Sequence, residues 1–148
     1  MISPSEADRL IGEQLTCLPI ESLPLVQCTG AVLRENVYAE RDQPPYDRVA
    51  MDGIALDSDA TSRGRRSFAV QAMQAAGDPP LTLRSAEHAI EIMTGAVLPQ
   101  GCDAIVPVEQ LQRDEGQVTL IEGLKVVRGQ NIHRRGSDTT QGTLLLQA

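Results

Sequence analysis

The chain changes its period after the amino-terminal segment. Ala7, Leu10, Ile11, Leu15 and Leu18 recur at helical spacing and lay down one apolar stripe for packing. Ser3 can cap that helix, Pro4 suits its first position, and Glu6, three residues after Ser3, completes a capping box. The spacing predicts a helix that starts at Ser3 and ends near Cys17, before Pro19, with Gly12 weakening its middle. From Pro24 onward, glycines and prolines cut the chain into short pieces rich in Val, Ile and Leu, which is the punctuation of strands. The predicted strands are residues 22–26, 54–56, 68–73, 89–92, 104–107, 117–120 and 143–146. Residues 30–38 read as a helical turn or a strand, and residues 58–67 as a long solvated loop. Turn signals about every ten residues are what an all-β sandwich or barrel gives.

Composition narrows the partners. Twenty acidic against thirteen basic residues give a formal charge of −7, which repels a phosphate backbone over most of the surface and predicts no nucleic-acid partner. With Phe68, Tyr38 and Tyr46 as the aromatic residues and no Trp, a platform for stacking bases is hard to assemble. No apolar run approaches the ~20 residues that span a bilayer, so no membrane association is expected. The amino terminus has neither the basic start nor the apolar stretch of a signal peptide, which predicts a cytoplasmic protein. Cys17, Cys28 and Cys102 are odd in number and far apart, so they fit neither a disulfide framework nor a zinc site. They read as buried small hydrophobes.

Three segments could carry chemistry. In the first, Pro44-Pro45-Tyr46-Asp47-Arg48-Val49-Ala50-Met51-Asp52-Gly53, Asp47 and Asp52 flank a short core, and Gly53 permits a sharp turn or a close backbone approach. A carboxylate held out on such a turn can act as a base, bind a divalent cation or orient a counter-ion. The plain alternative is turn chemistry alone, with Asp52 bonding its own backbone. In the second, Thr94 and Gly95 lie between two strands, where the hydroxyl can donate to an anionic oxygen or to a neighbour. The third, residues 128–138, is the one concentrated basic patch; its arginines suit oxyanions such as phosphate or molybdate, or pair with carboxylates such as Glu122 or Asp138.

In this order the segments resemble the amino-terminal region of the molybdopterin molybdenumtransferase family, which includes the enzymatic region of gephyrin. The resemblance is collinear over nearly the whole chain. It rests on the capped helix, Leu23-Pro24-Leu25 with Gly30 downstream, Pro44-Pro45-Tyr46-Asp47, Met51-Asp52-Gly53, Ala76-Gly77, Ile92-Met93-Thr94-Gly95-Ala96, Pro99-Gln100-Gly101, Gly129-Gln130-Asn131-Ile132 and Arg134-Arg135-Gly136. Family membership implies the last step of molybdenum cofactor assembly, in which adenylylated molybdopterin and molybdate react, with Mg2+, to give the molybdenum-bearing dithiolene and AMP. It implies that Asp52 and Thr94 are catalytic, Asp52 handling metal or proton traffic and so being the expected metal ligand, and Thr94 binding the anionic substrate or holding the cleft in shape. The arginines are expected to bind substrate by their own chemistry, Arg134 and Arg135 through planar forks suited to oxyanions and Arg48 through an added positive charge.

The resemblance also carries departures. Arg48-Val49 stand where the family commonly has Asn-Ser, Ile54 where it has Tyr, and Ser137 where it has Glu after Arg-Arg-Gly. Arg48 could hold the ionised form of Asp52 or recruit an oxyanion. The family's molybdopterin-binding domain and carboxy-terminal β domain would follow residue 148, so the chain is expected to be inactive alone.

The expected architecture is α+β, mostly β. A β-barrel-like unit over residues 44–125 is inserted into a smaller layer with an amino-terminal helix and twisted sheet, residues 1–43 plus 126–148. A homodimer is expected. The competing expectation is a non-catalytic binding or dimerisation module that acts in trans with a cofactor-assembly enzyme.

Overall fold

A computed structural model describes residues 2–148. By packing, the chain forms two compact units: residues up to Val37 together with Leu146–Ala148, and Tyr38–Leu145. Packing therefore groups residues 38–43 and 126–145 with the main sheet, whereas the expected layering cut the chain at 43 and 126.

The first unit holds the predicted helix, α1, Pro4–Gln14. Ser3 is the cap, its Oγ accepting from the Glu6 N–H at 3.3 Å, and Pro4 opens the helix. An exposed Arg9–Glu13 pair one turn apart adds a few tenths of a kcal/mol, on the order of 0.3–0.5. The helix stops at Gln14, earlier than expected, because Leu15 is extended and its N–H bonds back to the Gly12 carbonyl. Leu15 and Leu18 thus lie beyond it, and no residue of α1 is buried: Leu10, Ile11, Leu15 and Leu18 are 40, 59, 73 and 85% exposed.

Residues 22–26 are not a strand. Pro24 removes a donor, and Leu25–Gln27 form a 3₁₀ turn in which Leu25 and Val26 are exposed. Apolar character alone does not make a strand where no neighbour pairs with it. Strand β1 is only Val37–Tyr38 and pairs with β10, Leu144–Leu146.

The second unit is a curled, half-barrel sheet. Its strands are β3 (Gly53–Leu56), β4 (Ser67–Gln74), β5 (His88–Ile92), β6 (Ala104–Pro107), β7 (Leu111–Asp114) and β8 (Gln117–Leu120), in the order β6-β3-β5-β4-β8-β7. All the pairings are antiparallel except β4 with β5. β3, paired on both sides by β6 and β5, is buried on both faces, as a continuous apolar run requires. Ile54 and Leu56 pack with Phe68, Val106 and Val118 on one side, while Ala55 packs with Val49, Ile90 and Ile105 on the other. Each large side chain so buried contributes about 1.5–3 kcal/mol.

Two expectations are corrected here. Residues 58–67 contain a short helix, α2, Ser58–Ser62, capped by Asp57 accepting from the Asp59 N–H at 3.0 Å. Ala60 is its one buried apolar residue, too little to show a period. β7 was not expected, because an edge strand with only Leu111 half-buried has no apolar alternation. It is nonetheless joined to β8 by the two-residue turn Glu115-Gly116, with Gly116 at φ 70°.

A further short ladder pairs β2, Arg48–Val49, with β9, Ile132–His133, antiparallel. Of the cysteines, Cys102 alone is buried; Cys28 is half-buried and Cys17 exposed, because the segment carrying them builds no core of its own. Burial, together with Asp103 and Asp57, pushes the Cys102 thiol up to about 12. Among the described residues, no helix is long and apolar enough to cross a membrane.

Candidate functional site

Asp52 sits in the turn between β2 and β3, and Thr94 in the turn just after β5. Because β3 and β5 are adjacent, with Gly53 opposite Ile92, the two turns meet at one end of the sheet. The Thr94 N–H and its hydroxyl both donate to Asp52 Oδ1, each at 2.6 Å. Asp52 Oδ2 takes no bond among the described residues, and both residues are exposed. The hydroxyl bond first, and the amide bond second, hold the Asp52 carboxyl below the usual carboxylate range, against a smaller opposing effect of desolvation. At neutral pH the group is an ionised, anchored carboxylate with one oxygen open.

The Thr94 turn is held by β2. The Gly95 N–H donates to the Val49 carbonyl and the Val49 N–H to the Ala96 carbonyl, both at 2.9 Å, while the Ala96 N–H closes the turn on the Met93 carbonyl at 3.1 Å. Gly95 stands at φ 90°, a conformation that L side chains rarely adopt. Both turn readings of the sequence are thereby answered in geometry: Asp52 bonds Thr94, not its own backbone, and Thr94 donates to an anionic oxygen of this chain.

The arginines lie on a second constellation. Arg134 Nη1 is 2.5 Å from Asp47 Oδ2, and the Arg135 N–H donates to Asp47 Oδ1 at 2.9 Å. Arg135 Nε reaches Asp42 Oδ2 at 2.6 Å, and Asp42 Oδ1 accepts from the Gln141 N–H. Arg48 does not bond Asp52; its Nη2 lies 3.0 Å from His133 Nδ1, and His133 Nε2 lies 2.7 Å from Asp138 Oδ1. A guanidinium can only donate, so Nδ1 accepts and the imidazole proton sits on Nε2, directed at Asp138. Arg128 pairs with Asp103 at 2.9 Å, and Asp103 also accepts from the Ser58 N–H and hydroxyl.

Sequence reasoning noted Asp47 but gave it no role, and it missed Asp42 as the partner of Arg135. No local signal marks Asp42, which lies 93 residues from Arg135. A surface depression of about 670 Å³ beside α2 and the start of β4 contains none of these groups. Its Arg65 is paired with Glu87 and its Arg66 donates to the carbonyls of Ile121 and Leu124.

Asp47 and Asp42 make an acid-sensitive pair. For each, the bond from a backbone N–H (Arg135 and Gln141, respectively) is the largest cause holding the carboxyl below the usual 3.8. The unfolded chain therefore binds these protons more readily than the folded one. Their stabilisation is complete above the ordinary carboxylate value and is lost as pH falls through the lowered one. Urea unfolding of Asp47→Asn is expected to show a shallower loss of stability between about pH 5 and pH 2 than the parent chain; superimposable pH curves would remove Asp47 from this role.

The fold and site define a mostly β unit that presents an anchored, ionised carboxylate at a sheet end, with a set of ion-paired arginines elsewhere in the same unit. The family model described as MoeA N-terminal region (domain I and II) matches residues 2–148, and the chain belongs to that family. A molybdopterin molybdenumtransferase of Synechocystis is 40% identical over 80% of this chain and 30% of its own length. One from Synechococcus elongatus is 34% identical over 99% of this chain and 38% of its own. A crystal structure of a molybdopterin biosynthesis moeA protein from Pyrococcus horikoshii OT3 superposes with a TM-score of 0.78 at 30% identity, covering 86% of this chain and 34% of that one. The chain thus spans roughly a third of the length of the relatives it matches.

Proposed function

We propose that this chain is the amino-terminal part of a molybdopterin molybdenumtransferase, which inserts molybdate into adenylylated molybdopterin and releases AMP. The observation that carries the reading is the open Oδ2 of an ionised, exposed Asp52 fixed by Thr94. A carboxylate whose affinity for protons is lowered is a weak base, so Asp52 serves as a charge and a ligand rather than as a proton acceptor. Thr94 spends its hydroxyl proton on Oδ1, which turns the second oxygen outward.

Mg2+ fits this arrangement as a shared ion. The described residues hold no cluster of three or more candidate ligands. Mg2+ commonly binds through one or two carboxylates plus substrate phosphates and waters, so Asp52 Oδ2 would supply one oxygen and the substrate others. The ion would neutralise the phosphate charge of the adenylylated substrate when bound.

Arg134 and Arg135 keep donors beyond those committed to Asp47 and Asp42, and their side chains are 50% and 65% exposed, so they can meet an oxyanion. Arg48, bonded to His133, would join them by charge. The exposed apolar stripe of α1 supports a homodimer, since such a stripe is more often covered than left in water. Three free cysteines suit a reducing cytoplasm.

The test is an assay of the longer protein that contains this chain. Molybdate-dependent, Mg2+-dependent AMP release from adenylylated molybdopterin is expected from it, and none from residues 1–148 alone. Absence of product from the longer protein would reject the reading in favour of a docking module.

A further inference from the structure

We propose that Gln74 is a positioning residue for the Asp52–Thr94 pair, its buried side-chain amide pinning the loop that carries Thr94. This rests on the reading that the pair is functional, but its geometry and its test do not require activity. Gln74 ends β4 and is fully buried. A buried amide is costly unless its donors and acceptors are used. Here Nε2 donates to the Val97 carbonyl and Oε1 accepts from the Leu81 N–H, both at 2.7 Å. The Gln74 carbonyl in addition accepts from the Met93 N–H at 3.3 Å.

One residue therefore grips both ends of the turn, Met93 through its main chain and Val97 through its side chain. Val49 of β2 grips the middle, at Gly95 and Ala96. Thr94 is left with both donors aimed at a single carboxylate oxygen, an arrangement that weakens quickly with displacement. Through Leu81, the same amide fixes the far end of the loop after β4. At the start of that loop the Ala75 N–H donates to Asp78 Oδ2 at 2.8 Å, and Ala76 Cβ lies 3.6 Å from where a side chain on Gly95 would begin. Gln74 touches neither Asp52 nor Thr94 by any bond; it acts through the loops.

Amide hydrogen exchange by NMR on this chain tests the assignment, with Gln74→Met and Gln74→Glu as variants. In Q74M, the Thr94 and Gly95 amides are expected to exchange about tenfold faster relative to the Ile54 and Ile105 amides, the size of one lost intramolecular hydrogen bond. A residue that merely stabilises the fold would accelerate all four alike. Q74E keeps an acceptor for the Leu81 N–H but loses the donor to Val97, so Thr94 should accelerate while Leu81 does not. Equal factors at Thr94 and Ile105, or an unchanged Thr94, would overturn the proposal. Should neither variant fold, exchange in the parent chain decides: Thr94 and Leu81 are expected to open together with the same denaturant dependence, and independent opening would overturn it. Because no readout here involves turnover, its failure is distinct from a failure of the enzymatic reading.

Discussion

Replacing Gly53 by alanine is expected to disrupt the Tyr38–Leu145 unit more than any other single methyl addition at a glycine. A Cβ at this position would stand 2.0 Å from the Val106 carbonyl oxygen, 2.8 Å from the Val106 carbonyl carbon and 2.9 Å from Pro107 Cα. All three atoms are backbone of β6, the strand paired with β3, so no side chain can rotate away. Ordinary overpacking costs about 1–3 kcal/mol; here the strands must separate or shift register, and a loss above about 3 kcal/mol is expected in urea unfolding. Gly116→Ala is the control: it has open space around it but stands at φ 70°, so it should cost only about 1 kcal/mol of backbone strain. A Gly53→Ala chain as stable as that control would mean that β3 and β6 are not in such close approach. The effect would also reach the site, because the Asp52 carbonyl accepts from the Val108 N–H at 3.1 Å just beyond the same contact.

The largest functional effect is expected from Asp52→Asn in the longer protein. Asparagine keeps a carbonyl oxygen for the two Thr94 donors but removes the charge that would hold Mg2+ against the substrate. Molybdate-dependent AMP release should fall by at least about 100-fold, the upper end of what even an outer partner of a metal site costs. The unfolding midpoint should fall only slightly, since the pair is exposed and asparagine keeps an acceptor for both Thr94 donors. Thr94→Val gives a smaller loss of a different kind. It removes the hydroxyl bond, the largest cause of the lowered Asp52 value, while the amide bond remains. The acid limb of the activity profile should therefore move to higher pH. Near-parental activity in Asp52→Asn would leave the pair a structural clip and move the chemistry to the part of the protein beyond this chain.

Gly53 shows how far sequence reading reached. A sharp turn and a close approach were both open to it; the structure selects close approach, because Gly53 has no positive φ and faces the backbone of β6. Arg48 shows the opposite case. Beside Asp52 in sequence, it suggested a direct charge partner, yet strand alternation sends it across the β2–β9 ladder to His133. For the basic patch, the sequence leaves open oxyanion binding or pairing with nearby carboxylates such as Glu122 or Asp138; the carboxylates that Arg134 and Arg135 do meet lie 87 and 93 residues back, at Asp47 and Asp42. The imidazole of His133, not a guanidinium, meets Asp138 locally.

What the sequence alone determined is what neighbouring residues encode. The Ser3 cap, the apolar runs that became β3, β5, β6 and β8, and the ordered motifs that identify the family all rest on short-range spacing, where one residue constrains the next few. The tertiary structure decided the rest. It withdrew residues 22–26 from the strands, left the α1 stripe uncovered, and made an edge strand of Leu111–Asp114. It also joined Asp52 to Thr94 across 42 residues and placed Gln74 beneath that junction. Hydrogen bonds of a few ångströms between distant segments depend on which strands lie side by side, and no local pattern carries that information.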